Sequence, residues 1–97
     1  MTKIRPDRIL ECVADKCAVK VNDITGLSRV QNIREARFLY CLITRELTGL
    51  SYRSIGNYVN RSYCAVMHAE KRAIELINAY LGMKSLYNEI KNEITLE

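Results

Sequence analysis

The chain has 97 residues, of which 48% are hydrophobic, so it is long enough for one domain with a single modest core. No apolar run approaches the roughly 20 residues that cross a bilayer, and charges at Arg5, Asp7 and Arg8 come too early for a secretory signal. We therefore expect a cytoplasmic protein with no membrane partner, whose net charge of +4 leaves a polyanion among its possible ligands.

The first predicted helix begins near Pro6, because proline suits the first turn, where its missing N–H costs nothing. Its apolar residues fall on one stripe, namely Ile9, Leu10, Val13 and Cys17. Residues 23–25 are predicted to form a single helical turn that Gly26 ends, and residues 27–31 are predicted to be a loop.

The second long helix is predicted over residues 33–48. Asn32 is a suitable N-cap with Glu35 three residues later, and Gly49 suits a left-handed residue after the helix. The predicted buried face consists of Ile33, Ala36, Leu39, Tyr40, Ile43 and Leu47, whereas Arg34, Arg37, Arg45 and Glu46 are assigned largely to other faces.

A helix-turn-helix is predicted between Leu50 and about Tyr80. Ser51 caps a short helix over residues 52–59, in which Gly56 suggests the close approach of another helix. Residues 60–61 form a tight turn, and Ser62 caps a long helix. The apolar stripe of that helix is Val66, Ala69, Ala73, Leu76, Ile77 and Tyr80.

Gly82 is predicted to end this long helix, and the amphipathic stretch from Ser85 to about Thr95 is predicted to be a peripheral final helix. No segment shows the alternation of apolar and polar residues that strands require. The expected fold is all-α, with about five to six helices. Residues 1–82 form the helix-turn-helix domain, and residues 83–97 add the peripheral helix to the same domain.

The long helix exposes small and polar side chains only at its start, which is typical of a recognition helix in the major groove. The outward positions are Tyr63, Cys64, Met67, His68 and Lys71. A plain helical hairpin in a small bundle would show the same pattern, so both interpretations stay open on these grounds.

The positive charge is concentrated in the middle of the chain. Residues 29–72 hold eight basic and three acidic side chains, whereas the remainder holds seven basic and eight acidic ones. This distribution favours a surface that binds a polyanion, although solvated charge clusters are also common.

Other classes of site find little support. The spacing of Cys12, Cys17, Cys41 and Cys64 is unlike that of zinc ligands, and His68 is the only histidine, so we expect reduced thiols and no metal. The glycines form no phosphate-binding loop, and no catalytic triad or carboxylate pair can be assembled. We expect neither a cofactor nor enzymatic activity.

Several short motifs occur in an order and spacing that resemble one known family. They are Ile9-x-x-x-Val13-Ala14, Val19-Lys20-Val21-x-Asp23-Ile24, Arg45-Glu46-Leu47-Thr48-x-x-Ser51-x-x-x-Ile55-Gly56 and Arg61-Ser-Tyr-Cys-Ala-Val-Met-His-Ala69. The last resembles the signature Arg-Asp-His-Thr-Thr-Val-Leu-His-Ala. Together they resemble the C-terminal DNA-binding domain of the bacterial replication initiator DnaA, a Trp-repressor-like helix-turn-helix, over nearly the whole chain.

The resemblance implies roles for individual side chains. Arg29 matches an arginine that reaches into the minor groove, Arg37 and Arg45 match contacts to the phosphate backbone, and Arg61 and His68 flank the base-reading residues. The whole set predicted to contact DNA is Arg29, Arg37, Arg45, Arg53, Arg61, Ser62, Tyr63, Cys64, Ala65, His68 and Lys71.

The chain departs from the family where bases are read, because residues 62–65 replace Asp-His-Thr-Thr. Ser62 brings no carboxylate, Tyr63 brings a larger ring, and Cys64 and Ala65 lack the threonine hydroxyls while keeping surfaces able to touch a thymine methyl. The turn is also one residue shorter than the family's double-glycine form. Whether this opening turn keeps base-specific readout stays open.

The leading hypothesis is a stand-alone protein that binds double-stranded DNA, regulating transcription or replication in a bacterium, phage or plasmid. The alternative is an interaction module that keeps the fold but contacts a replication or transcription protein. A part of a larger regulator is a third possibility. The sequence does not predict the oligomeric state.

Overall fold

The computed structural model of the protein describes residues 4–96, and these residues form six α-helices and no strand, which confirms the all-α prediction. The helices are α1 (Pro6–Lys16), α2 (Val21–Thr25), α3 (Gln31–Thr48), α4 (Tyr52–Val59), α5 (Tyr63–Ala79) and α6 (Leu81–Thr95). Residues 1–3 and 97 of the predicted domain bounds lie outside the described residues. None of the helices in this part of the chain combines the length and apolar composition that crossing a bilayer requires.

The central helix is α3, which contacts the other five helices. It buries Leu39, Tyr40 and Ile43 completely, because these residues recur on one face at helical spacing. The other five helices all contribute to the core around them, with residues that include Ile9, Val13, Ile24, Ile55, Val59, Val66, Ala69, Ile90 and Ile94.

The start of α3 differs from the prediction, since Asn32 lies inside the helix and Val30 is the N-cap residue. Val30 has an extended backbone, and its carbonyl oxygen accepts from the Arg34 N–H at 2.9 Å. The Ser28 hydroxyl oxygen in turn accepts from the Val30 N–H at 3.3 Å. The polar loop residue that supports this helix start is therefore Ser28, and the predicted cap at Asn32 is wrong.

The junction between α5 and α6 also differs, because Gly82 does not end a helix but lies in the first turn of α6. Tyr80 provides the break by adopting an extended backbone, with φ −131° and ψ 122°. Its N–H donates to the Leu76 carbonyl and its carbonyl accepts from the Lys84 N–H. One residue thus ends α5 and begins α6.

The last helix is integral to the core rather than peripheral. Ile90 and Ile94 are 0% and 4% exposed, and α6 packs against α1, α3 and α5. Polar contacts reinforce this packing, since Lys91 Nζ lies 3.6 Å from a Glu46 carboxylate oxygen and the Cys12 thiol donates to Glu93 at 2.6 Å. The sequence prediction treated α6 as peripheral because amphipathic periodicity indicates an apolar face but not what covers it.

Candidate nucleic-acid interface

The helix-turn-helix consists of α4, a turn over residues 60–62, and α5. Both helices begin at a serine, as predicted. The Ser51 hydroxyl accepts from the Ser54 N–H at 3.1 Å, and the Ser62 hydroxyl accepts from the Ala65 N–H at 3.2 Å. These caps satisfy N–H groups that would otherwise lack partners at the two helix starts.

Gly56 allows the turn to fold tightly back onto α4. A Cβ atom at this position would overlap the Arg61 carbonyl oxygen and would touch the Val66 side chain at 3.5 Å. The Arg61 N–H also donates to the Gly56 carbonyl at 2.9 Å, while Asn60 adopts the left-handed conformation with φ 56°. The predicted close approach therefore exists, but the backbone of the turn makes it rather than a neighbouring helix.

The opening turns of α5 present one face to solvent, as predicted. Tyr63 and Met67 are 47% and 46% exposed, and Cys64, His68 and Lys71 are also exposed. On the opposite face Val66 and Ala69 are buried against the core. The start of α5 is thus an accessible surface held on a rigid support, which is the arrangement that groove insertion requires.

Arg45 lies beside this surface and is held by the residues that open α4. Its guanidinium carbon lies 4.5 Å from the centre of the Tyr52 ring, and its Nη1 donates to the Leu50 carbonyl at 2.5 Å. The Tyr52 hydroxyl donates to Glu70 on α5 at 2.8 Å. Sequence reasoning missed Tyr52 and Glu70, because no local pattern connects residues 18 positions apart.

A cleft of about 530 Å³ lies between the turn and the loop that precedes α3. It is lined by Leu27, Ser28, Arg29, Arg34, Arg37, Asn60 and Arg61. Arg61 spans this cleft, since its Nη2 donates to the Gly26 carbonyl at 2.6 Å and its Nη1 donates to the Val59 carbonyl at 3.1 Å. Arg29 is exposed at the same cleft, so the structure brings Arg29 and Arg61 together.

Arg37 does not lie on an outward face, and that prediction is wrong. Its side chain is only 7% exposed, and its Nε donates to the Ile24 carbonyl at 2.7 Å. Its Nη2 donates to the carbonyls of Asp23, Gly26 and Ser28. Burial, together with the nearby Arg61 charge, lowers the pKa of Arg37.

The reason for the burial of Arg37 lies in the end of α2. This five-residue helix ends at Gly26, and the Asp23 and Ile24 carbonyls at its end accept from Arg37. A guanidinium has five N–H donors in a fixed fork, so one arginine satisfies several carbonyls at once. The carbonyls of this region therefore hold Arg37 inside the fold, and no local pattern in the sequence indicates this role.

The remaining predicted residues lie near the opening of α5. Arg53, in the first turn of α4, is exposed, and its guanidinium carbon lies 5.3 Å from the centre of the Tyr63 ring. Ser62 is exposed but its hydroxyl is engaged by the helix, and Ala65 is half-buried. Within residues 4–96, no three His, Cys, Asp or Glu side chains lie close enough together to hold a metal ion.

Comparison with known proteins identifies the family. The profile described as "Bacterial dnaA protein helix-turn-helix" matches residues 6–73. The chain is 33% identical over 96 residues to the chromosomal replication initiator protein DnaA of Cutibacterium acnes, covering 97% of this chain and 18% of that protein. It is 33% identical over 94 residues to the DnaA of Francisella tularensis, covering 96% and 19%.

The DnaA of Campylobacter curvus is 36% identical over 92 residues, covering 94% of this chain and 21% of that protein. The chain therefore spans about a fifth of the length of the curated relatives it matches. The resemblance found in the sequence motifs is confirmed. The matched residues 6–73 include α4, the turn and the first part of α5. The chain belongs to the family of bacterial DnaA helix-turn-helix domains.

Proposed function

We propose that this chain binds double-stranded DNA by placing the opening turns of α5 in the major groove. The observation that carries the proposal is the exposed face of Tyr63, Cys64, Met67 and His68, supported from behind by buried Val66 and flanked by arginines. Membership of the family implies DNA binding. The exposed start of a helix also favours an anion, because its N–H groups and the positive end of its dipole point outward.

The cations around α5 contact the phosphate backbone in this proposal. Arg45 and Arg61 are half-buried and held by backbone carbonyls, so they reach the duplex already oriented. Arg29 and Lys71 are exposed and complete the contact set, and the family resemblance assigns Arg29 to the minor groove. Arg37 is not in this set, because it is only 7% exposed and its guanidinium is enclosed among the carbonyls that accept from it.

Base recognition falls to Tyr63, Cys64, Ala65 and His68 together with Arg53. The Ser62 hydroxyl is occupied by the helix cap, so this residue contributes little to reading. Because the family's Asp-His-Thr-Thr is absent, we expect the preferred sequence to differ from the family's own site. Each lost base contact costs typically about 1–3 kcal/mol.

At the level of the cell, we propose a cytoplasmic regulator of transcription or replication, encoded by a bacterium, phage or plasmid. The chain carries the DNA-binding fold of the family but spans only about a fifth of its relatives. The activities of those larger proteins are therefore not transferred to it.

The experiment is selection of bound duplexes from a random pool, followed by affinity measurements on the selected sequence. Lys71→Ala should weaken binding to all duplexes alike, since Lys71 is exposed and has no hydrogen bond or ion pair in the described part of the chain. Tyr63→Ala should change the selected sequence. The matched control is Arg72→Ala, which removes a charge paired with Glu75 further along α5.

Failure of the wild type to retain any duplex would overturn the proposal. A second candidate function, contact with a replication or transcription protein, is favoured by the same exposed Tyr63 and Met67, because tyrosine and methionine are enriched at interfaces. Capture of a protein partner that survives nuclease treatment, without any duplex binding, would select this alternative.

A further inference from the structure

The helix-turn-helix brings one arginine of α4 onto the first residue of α5. The guanidinium carbon of Arg53 lies 5.3 Å from the centre of the Tyr63 ring, within the range of a cation–π contact. Both side chains are exposed on the face formed by the opening turns of α5. A ligand that reaches Tyr63 therefore also reaches the guanidinium of Arg53.

Within residues 4–96, no hydrogen bond uses an N–H group of the Arg53 side chain, whereas neighbouring arginines use some of theirs. Arg37 donates to backbone carbonyls of the α2 region, Arg45 to the Leu50 carbonyl and Arg61 to the Gly26 carbonyl. In this part of the chain, the ring of Tyr63 is the only hydrogen-bonding, ionic or aromatic partner of the Arg53 side chain. The Tyr63 ring limits the orientations of the guanidinium and leaves its N–H groups able to bind a ligand.

The first two turns of α5 carry none of the side chains that usually form paired hydrogen bonds with a purine base. Residues 63–69 contain no arginine, lysine, asparagine, glutamine or acidic side chain. The exposed groups there are the Tyr63 ring and hydroxyl, the sulfur atoms of Cys64 and Met67, and the His68 imidazole. Arg53, which contacts the Tyr63 ring, is a side chain at this face that can form two parallel hydrogen bonds to a base edge.

We propose that Arg53, held over Tyr63, reads a guanine through its O6 and N7 atoms in the major groove. The proposal rests on the proposed function, because it requires the opening of α5 to lie in that groove. A bidentate arginine is the commonest specific contact to guanine. The specificity-determining residue of this chain is then on α4, and the ring of Tyr63 positions it.

The test uses the full chain and the duplex selected from a random pool. The selected sequence should contain a required guanine, and exchanging that G·C pair for A·T should lower the affinity of the wild type about 5- to 100-fold. Replacing the same guanine by 7-deazaguanine removes only the N7 acceptor and should lower affinity about two- to tenfold. In Arg53→Ala neither exchange should change the affinity.

Two variants serve as controls. Arg72→Ala removes the same charge from a later turn of α5, so it should keep the full preference for guanine. Tyr63→Ala removes the ring that holds Arg53, so it should reduce the preference for guanine more than Tyr63→Phe, which keeps the ring. The melting temperature of Arg53→Ala should match that of the wild type, because the side chain is exposed.

The outcomes separate this proposal from the proposed function. If Arg53→Ala weakens every duplex equally, or still discriminates guanine from 7-deazaguanine, the reading role of Arg53 is overturned while duplex binding stands. If the wild type binds no duplex, the proposed function fails and this role fails with it.

Discussion

Single arginine side chains stabilise the ends of several helices in this protein. Arg37 donates to carbonyls around the end of α2, Arg61 to the Val59 carbonyl near the end of α4, and Arg45 to the Gly49 and Leu50 carbonyls after α3. The last carbonyls of a helix lack partners within it, and charged donors satisfy them well. Buried Arg37 therefore serves the fold, whereas half-buried Arg45 and Arg61 stabilise helix ends and can also contact a ligand.

The buried thiols make stability depend on pH in the alkaline range. Burial raises the pKa of both Cys12 and Cys41 from 9.0 to about 12. Above pH 9 the unfolded chain releases these protons while the folded chain keeps them, so the unfolded state is favoured as pH rises. We expect the free energy of unfolding to fall between pH 9 and 12, by about 1.4 kcal/mol per pH unit for each thiol.

Urea titrations between pH 8 and 10.5 in the presence of a reductant measure this dependence. Cys41→Ala should reduce the slope by the contribution of one thiol, although it also lowers stability at neutral pH by leaving a cavity. Equal slopes for Cys41→Ala and the wild type would contradict the assignment.

Residue roles that depend on nearby sequence could be predicted, and those that depend on distant contacts could not. The caps at Ser51 and Ser62 need only an N–H three residues later, so the local sequence predicts them. The burial of Arg37 depends on carbonyls 9 to 14 positions away, and hydrophobic periodicity treats any arginine as exposed. The family resemblance could not predict this burial either, because it compares residue identities and carries no information on solvent exposure.

At the level of helices and turns, the spacing between α4 and α5 depends on Gly56. Gly56→Ala places a methyl group on the Arg61 carbonyl, which is backbone and cannot rotate away. We expect a net loss of about 1–3 kcal/mol in the free energy of unfolding, despite the better helix propensity of alanine. Chemical denaturation of the variant checks this value, and duplex affinity should fall as the turn is displaced.

Gly82→Ala is the matched substitution in α6. No atom lies within 4 Å of a Cβ atom built at this position, so the helix propensity of alanine should stabilise the protein by up to about 1 kcal/mol. A similar loss of stability in both variants would show that the Arg61 contact does not decide the outcome at Gly56.

The junction at Tyr80 shows why one helix boundary could not be predicted. Glycine is the usual residue after a helix, so Gly82 was the natural choice from sequence, and Tyr80 resembled one more member of the apolar stripe. Tyr80 is instead 60% exposed, with its backbone extended. The direction of α6 is set by the burial of Ile90 and Ile94 against the rest of the core, a long-range requirement that no pattern near Tyr80 contains.

For the whole molecule, the electropositive middle of the sequence supplies the exposed and half-buried cations of the proposed interface. Four of them form the proposed phosphate contact set, namely Arg29, Arg45, Arg61 and Lys71, while Arg53 reads a base. Each phosphate that a cation neutralises releases counterions, so the logarithm of the binding constant should fall with the logarithm of salt concentration at a slope of about −3 to −4.

Binding isotherms at several salt concentrations measure this slope. Lys71→Ala should make it shallower by about one, and Arg37→Lys should leave it unchanged in any folded fraction, because Arg37 is not in the contact set. A slope near zero for the wild type would mean that phosphate contacts do not dominate its affinity.

The architecture could be predicted largely because amphipathic periods and capping residues act locally and agree with one another. The bounds of α4 matched the prediction, since Ser51 and Asn60 mark both of its ends within the sequence. The candidate interface was predictable only in part. Exposure of Tyr63 and His68 follows from the helical period, whereas the placement of Arg53 over Tyr63 requires the angle between two helices.

The Gly26 carbonyl oxygen accepts from Arg37 on α3 and from Arg61 in the turn. The Asn60 side-chain amide also donates to the Thr25 carbonyl at 3.1 Å, so the end of α2 joins the loop of Arg29 to the start of α5. These hydrogen bonds fix the distance between the loop of Arg29 and the start of α5 before DNA binds, so binding costs little conformational entropy. If one extra base pair separated the minor-groove contact from the major-groove contact, the duplex would have to deform, because the protein cannot change this distance.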